Sequence, residues 1–168
     1  MFHAIPALRT RVLLGSVLIA LSSRPAHAAV PNTPEARLIE RAVKLLPVRP
    51  TVPVRLIEPD LTPDPDALRK LDAFLVREPD GRVRQVIYLN RRTAIVDNAL
   101  AGKDVDVAIL AAVIGHELEH LRGGSEREAR RAERDLFQRL IFVGKVPVAE
   151  GLAYLADLEQ DRQIREGR

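Results

Sequence analysis

Val107-Ala108-Ile109-Leu110-Ala111-Ala112-Val113-Ile114-Gly115-His116-Glu117-Leu118-Glu119-His120-Leu121-Arg122 is the stretch on which the fold turns. Ile109, Leu110, Val113 and Ile114 leave almost no polar face before position 116. A helix that is apolar all round is buried, so the spacing predicts a helix from about Val107 to Arg122 in the middle of the domain. Asp104 or Asp106 can cap its start, and Gly123-Gly124 ends it. Ser125 with Glu128 forms the capping-box pattern that opens a following helix. The inner stripe of that helix is Ala129, Ala132, Leu136 and Leu140, and Gly144 closes it. Pro147 begins a last helix carrying Val148, Leu152, Leu155 and Leu158, which runs into a charged tail.

Upstream, Thr33-Pro34 reads as an N-cap with proline at the first helical position. Leu38, Ile39, Ala42, Val43 and Leu46 then recur at helical spacing. Six prolines between Pro47 and Pro65 break any helix there. Within them Val52, Val54, Leu56 and Ile57 fit one short strand, at a sheet edge because of Pro53. Asp64-Pro65 opens an expected second amphipathic helix with Leu68, Leu71, Phe74 and Leu75 as its stripe. Glu78-Pro79-Asp80-Gly81 is a turn, and Val83 to Leu89 is the clearest strand. Thr93-Ala94-Ile95-Val96 reads as a further short strand, and Asn98 to Lys103 as a loop. The pattern is α+β: mostly helices, with a small sheet of two or three strands beside a buried helix.

The chemistry lies at the end of that buried helix. His116 and His120 are four residues apart, which puts both imidazoles on one helix face, a turn apart. Two such nitrogens can reach one ion, and neutral imidazole suits Zn²⁺. Glu117 sits beside the first of them, where it can take a proton from water held at the ion. A catalytic zinc site needs a third protein ligand. Glu126 lies six residues after His120, beyond a Gly-Gly reversal that can bring the chain back. Glu128 is the alternative, although the capping box would occupy its carboxylate, and Glu133 is a more distant candidate. The competing reading of the whole motif is a fortuitous helix-surface pattern. The alternation of Arg127, Arg130, Arg131 and Arg134 with Glu126, Glu128, Glu133 and Asp135 reads as a solvated, paired helix face. Glu119 reads as an exposed acid or a partner for Arg122.

Val113-Ile114-Gly115-His116-Glu117-Leu118-Glu119-His120 resembles the active-site helix of zincin metallopeptidases, and Glu126-Arg127-Glu128-Ala129 resembles the E-x-x-A of gluzincins. The resemblance covers about residues 107–136. It implies a zincin-like fold, one Zn²⁺ held by His116, His120 and Glu126 (Glu128 as alternative), and Glu117 as general base in hydrolysis of a peptide or protein substrate. Two features depart from the family. Arg130 stands where many members carry an Asp or Asn that supports a ligand histidine. The metzincin Met-turn is absent, since Met1 is the only methionine. Tyr88 and Tyr154 are candidate oxyanion donors under the same resemblance.

The first residues read as an address. Arg9 and Arg11 precede the uncharged run Val12–Leu21, and Ala26-His27-Ala28 gives a small-x-small cleavage site. The run is about half the ~20 residues that span a bilayer. Residues 1–28 are therefore expected to be a cleaved signal peptide, with residues 29–168 as one exported domain. An uncleaved anchor is the alternative. Arg9, Arg11 and Arg24 are the only charged residues before position 29, so removing them from the 26 basic residues leaves 23 against 23 acidic ones. The basic excess thus belongs to the leader and gives no argument for a nucleic-acid partner. The cut also removes His3 and His27, leaving His116 and His120 as the only histidines. No cysteine is present, so no disulfide can stabilise an exported domain. The absence of Trp argues against a carbohydrate-stacking surface. Beside the peptidase stand two other readings: an exported module in which zinc staples two helices without catalysis, and a membrane-anchored interaction protein.

Overall fold

The computed structural model describes residues 13–14, 32–61, 68–69 and 71–166. Apart from Leu13–Leu14, the expected leader lies outside them. Helix α1 (Pro34–Lys44) starts as its sequence predicts: the Thr33 hydroxyl accepts from the Ala36 amide at 3.1 Å, with proline in the first turn. Leu38, Ala42 and Val43 form its buried face. Leu13–Leu14 (β1) pairs in parallel with Val76–Arg77 (β4). The main sheet consists of Val54–Ile57 (β2), Ala73–Phe74 (β3) and Ile87–Asn90 (β5), in the order β2-β5-β3. Strand β2 runs parallel to β5 and β3 antiparallel to it, so the sheet is mixed and the Pro53 strand is an edge, as expected. All four residues of β5 are buried.

Helices α2 (Ala94–Leu100), α3 (Asp104–Leu121), α4 (Glu126–Phe142) and α5 (Val148–Glu166) follow. Helix α3 is the hub, touching α1, α2, α4, β3 and β5. Val107, Ala108, Leu110, Ala111, Ala112 and Ile114 are all within its buried set, which explains its apolar circumference. Each fully buried Leu or Ile of this kind contributes about 1.5–3 kcal/mol. Among the described residues no helix is long and apolar enough to cross a membrane.

Several local expectations are corrected. The helix expected from Asp64 falls partly outside the described residues, but its later half is not helical. Phe74 lies in β3, where Ala73 and Phe74 pair with Leu89 and Tyr88. The apolar spacing there serves a second small core instead, in which Leu68, Leu71, Phe74 and Tyr88 pack together. Sheet pairing with β5 overrides a helical stripe that is only two turns long. Thr93–Val96 is not a strand. Thr93 caps α2, its hydroxyl accepting from the Val96 amide, and Val96 and Ala99 are the buried pair one turn apart. The loop expected from Asn98 is therefore helical as far as Leu100. Helix α3 begins at Asp104, with Lys103 at the N-cap position and no side-chain cap. Asp104 and Asp106 instead occupy the first turn, where Asp104 pairs with Arg41 at 2.7 Å and Asp106 accepts from Asn98. The strand expected over Val83–Leu89 contracts to β5, with Val83 making one isolated bridge to Arg77. Both edges of β5 are taken by neighbours, β2 on one side and β3 on the other.

One buried side chain ties the sheet to the segment before it. Asn90, 1% exposed, donates to the Leu68 and Leu71 carbonyls, both at 3.0 Å, and its Oδ1 accepts from the Arg92 amide at 2.9 Å. An alanine here leaves the Leu71 carbonyl and the Arg92 amide without this partner and takes one of two donors from the Leu68 carbonyl. Asn90→Ala is expected to lower stability by about 2–4 kcal/mol, measured as a reduced urea midpoint at unchanged slope.

Candidate metal centre

Helix α3 ends in a Schellman turn. The Gly123 amide donates to the His120 carbonyl at 3.0 Å and the Gly124 amide to the Glu119 carbonyl at 2.9 Å. Gly123 has φ of 89°, which glycine adopts without the strain a side chain would add. Gly124 is required by space: a Cβ there would lie 2.7 Å from Glu119 Cγ and 2.9 Å from the Glu119 carbonyl oxygen. This sharp reversal lets α4 start at Glu126, with the capping box formed as predicted. The Ser125 amide and hydroxyl donate to Glu128 at 2.7 and 2.6 Å, and the Glu128 amide donates back to the Ser125 hydroxyl.

The reversal also sets the chemistry of His120, whose Nδ1 lies 3.1 Å from the Gly124 carbonyl oxygen. A carbonyl only accepts, so Nδ1 carries a proton, and in the neutral ring Nε2 keeps its lone pair. His116 is arranged in the same way: its Nδ1 lies 2.9 Å from Glu133 Oε2. The two Nε2 atoms then face each other at 3.2 Å, with the rings nearly at right angles. Glu126 Oε2 completes the group, 3.3 Å from His120 Nε2 and 3.7 Å from His116 Nε2. Its other oxygen, Oε1, accepts from Arg130 Nε at 2.6 Å. Arg130 thus divides the carboxylate, leaving one oxygen for the imidazoles.

These distances suit a small cation. Donors about 2.0–2.1 Å from a tetrahedral ion stand about 3.3–3.4 Å apart, close to the separations seen here. Among the described residues, His116, His120 and Glu126 form the group whose ligand atoms converge in this way, and they could hold a metal ion. Nitrogen, nitrogen and carboxylate oxygen form a donor set that zinc accepts. Glu128, the alternative third ligand, lies in the capping box and outside the group.

Glu117 lies at the same end of α3, 5% exposed, and its Oε2 is buried with no hydrogen-bond partner. Burial pushes its carboxyl above the usual range, against the pull of the neighbouring His116 and His120. A buried, partnerless carboxylate oxygen beside two imidazoles is costly unless something polar comes to it.

Glu133 is the site residue that the sequence reading misplaced. It is 7% exposed and belongs to the buried face of α4 with Ala129, Leu136, Phe137 and Leu140, not to a solvated charge ladder. The signal was present: position 133 is four after Ala129 and three before Leu136, on the apolar stripe. Tyr154 of α5 donates to Glu133 Oε1 at 2.7 Å, so its hydroxyl is engaged behind His116. Tyr88 is not brought to this group. It stacks on Phe74 at 5.5 Å, and its hydroxyl accepts from Arg84. Glu119 pairs with Arg122 at 3.4 Å, as expected.

No protein family, curated protein or solved structure matches the chain.

Protons act as the cation in the metal-free protein. Burial is the largest single influence on His116 and opposes its charge. Hydrogen bonds to Glu126 and Glu133, with the charges of Glu133 and Glu117, outweigh it and raise the ring from 6.5 to about 9. His120 is raised in the same direction, chiefly by its bond to Glu126. A raised histidine stabilises the fold fully below its unfolded value and loses that contribution as pH climbs through the folded one. In chelator, the thermal midpoint is therefore expected to fall between pH 6.5 and 9, and to fall less in His116→Ala. Zinc affinity should rise over the same range, because the ligand nitrogen must shed its proton. A flat midpoint by scanning calorimetry contradicts this.

Proposed function

We propose that this chain is an exported zinc-dependent hydrolase, a small metallopeptidase of the gluzincin kind. The observation that carries the reading is the convergence of His116, His120 and Glu126 within a few ångströms, beside a buried Glu117 oxygen without a partner. A bound zinc ion supplies a Lewis acid and makes water acidic near neutral pH. The chain's own groups do the rest. His116 and His120 present Nε2 lone pairs, each fixed by a partner on Nδ1. Glu126 presents Oε2 while Arg130 holds Oε1. Glu117 Oε2 accepts a proton from the attacking water and delivers it to the leaving amine nitrogen. Its raised carboxyl range favours both halves of that transfer, since a general base works best with a pKa near the working pH.

A purely structural zinc would need a closing fourth ligand. The two acids nearest in sequence that could serve are both engaged elsewhere, Glu128 in the capping box and Glu119 with Arg122. That supports an open fourth position, which catalysis requires. Export rests on the basic start, apolar run and Ala26-His27-Ala28 of the leader, and N-terminal sequencing of the secreted form should begin at Ala29.

Metal analysis of purified protein should give one zinc per chain, kept in Glu128→Ala and lost in Glu126→Ala. Glu117→Gln should retain zinc while cleavage of an unfolded protein substrate falls about 10²–10⁴-fold. Absence of stoichiometric metal from the wild type rules out the hydrolase. Retained metal with no cleavage by wild type leaves a structural zinc.

A further inference from the structure

The last helix reaches the metal centre through the Tyr154 hydroxyl. Glu133 uses both carboxylate oxygens: Oε2 lies 2.9 Å from His116 Nδ1, and Oε1 accepts from the Tyr154 hydroxyl at 2.7 Å. With both ends held, the carboxylate cannot turn, and the imidazole it supports keeps its tautomer and its aim. Tyr154 is itself held by its ring, 4.4 Å from Phe137 between centroids and tilted by 50°. Phe137 is fully buried one turn after Glu133 on α4. The hydroxyl's position is thus fixed by how α5 docks on α4. That docking is close at Gly151, where a Cβ would lie 2.5 Å from Ile141 side-chain carbons. Elsewhere α5 is loosely covered: Val148 and Leu152 are exposed, as is Phe142 at the end of α4.

From this chain of contacts we infer that Tyr154 is a positioning residue for the metal centre, acting through Glu133 on His116, and that docking of α5 and binding of the cation favour one another. The inference rests on the metal-binding reading above. The coupling is reciprocal by linkage: whatever the docked helix adds to cation affinity, the cation adds to docking. Partners that orient a ligand histidine typically account for 10–100-fold in metal affinity. Burial, followed by the charge of Glu133 and its hydrogen bond, holds the Tyr154 phenol well above its ordinary range, so the hydroxyl stays a donor. Arg130, Glu126 and Glu117 are the other charged groups around the histidines, and none of them lies between Tyr154 and Glu133 Oε1.

The experiment is a cobalt titration of the full chain against a chromophoric chelator, on wild type, Tyr154→Phe and Glu133→Gln. Phenylalanine keeps the ring on Phe137 and removes only the hydroxyl. Glutamine keeps the shape but has one acceptor oxygen for two donors. Affinity is expected to fall about tenfold in Tyr154→Phe and about 10–100-fold in Glu133→Gln, with altered visible cobalt bands in both. The thermal midpoint of metal-free Tyr154→Phe should stay within a few degrees of wild type. Hydrogen exchange should show cobalt protecting the amides of residues 148–160 in wild type, with less protection in Tyr154→Phe. Equal affinity and unchanged bands in both variants overturn the positioning role and leave the hydrolase standing. A wild-type chain that takes up no cobalt overturns both.

Discussion

Two imidazole nitrogens facing each other at 3.2 Å are the constraint that organises the rest of the site. Two lone pairs at that distance repel unless a proton or a cation lies between them. The surroundings attract positive charge there: Glu117 and Glu126 act on both rings, and Glu133 acts on His116. The rings cannot escape by rotating, because each is held from behind. One is held by the backbone of the Gly123-Gly124 turn and the other by a carboxylate from the next helix. Helix α3, packed against α1, α2, α4, β3 and β5, supplies the rigid base on which both rings stand.

The site combines local and distant contributions. The helical repeat places His116 and His120, and the Schellman turn with its capping box places Glu126, all within the eleven residues 116–126. The second layer comes from further away, Glu133 from the third turn of α4 and Tyr154 from α5. This layering follows a general pattern, in which the groups behind the ligands fix tautomer and orientation. Arg130 also finds its place here. Where the gluzincin resemblance leads one to expect an Asp or Asn, this chain has Arg130, which grips the outer oxygen of Glu126. The carboxylate behind His116 comes from Glu133, three residues later on the same helix.

What could be read from the sequence divides along the same line. The buried helix, its glycine stop and the Ser125–Glu128 box were legible because each is decided by neighbours in the chain. So was the placing of His116 and His120 on one helix face, a turn apart. Phe74 and Thr93 were misread because short segments take their structure from what they meet. Phe74 meets a central strand, and Thr93 meets the first turn of a helix that its own hydroxyl caps. Glu133 was misread because it sits among arginines in the sequence. Its charged neighbours point it outward, while its register with Ala129 and Leu136 turns it into the buried face. Tyr154 had no local signal at all, since only the packing of α5 on α4 defines its partner.

The compactness of the ligand set along the chain has a kinetic consequence. His116 and Glu126 are ten residues apart, so the loop that a shared ion would close is short, and its entropic cost is small. Such an ion would favour the α3–α4 hairpin ahead of the β2–β5 pairing, whose partners are separated by more than thirty residues. For a chain with no cysteine to cross-link it, capture of an ion by this hairpin would give the order of assembly a starting point.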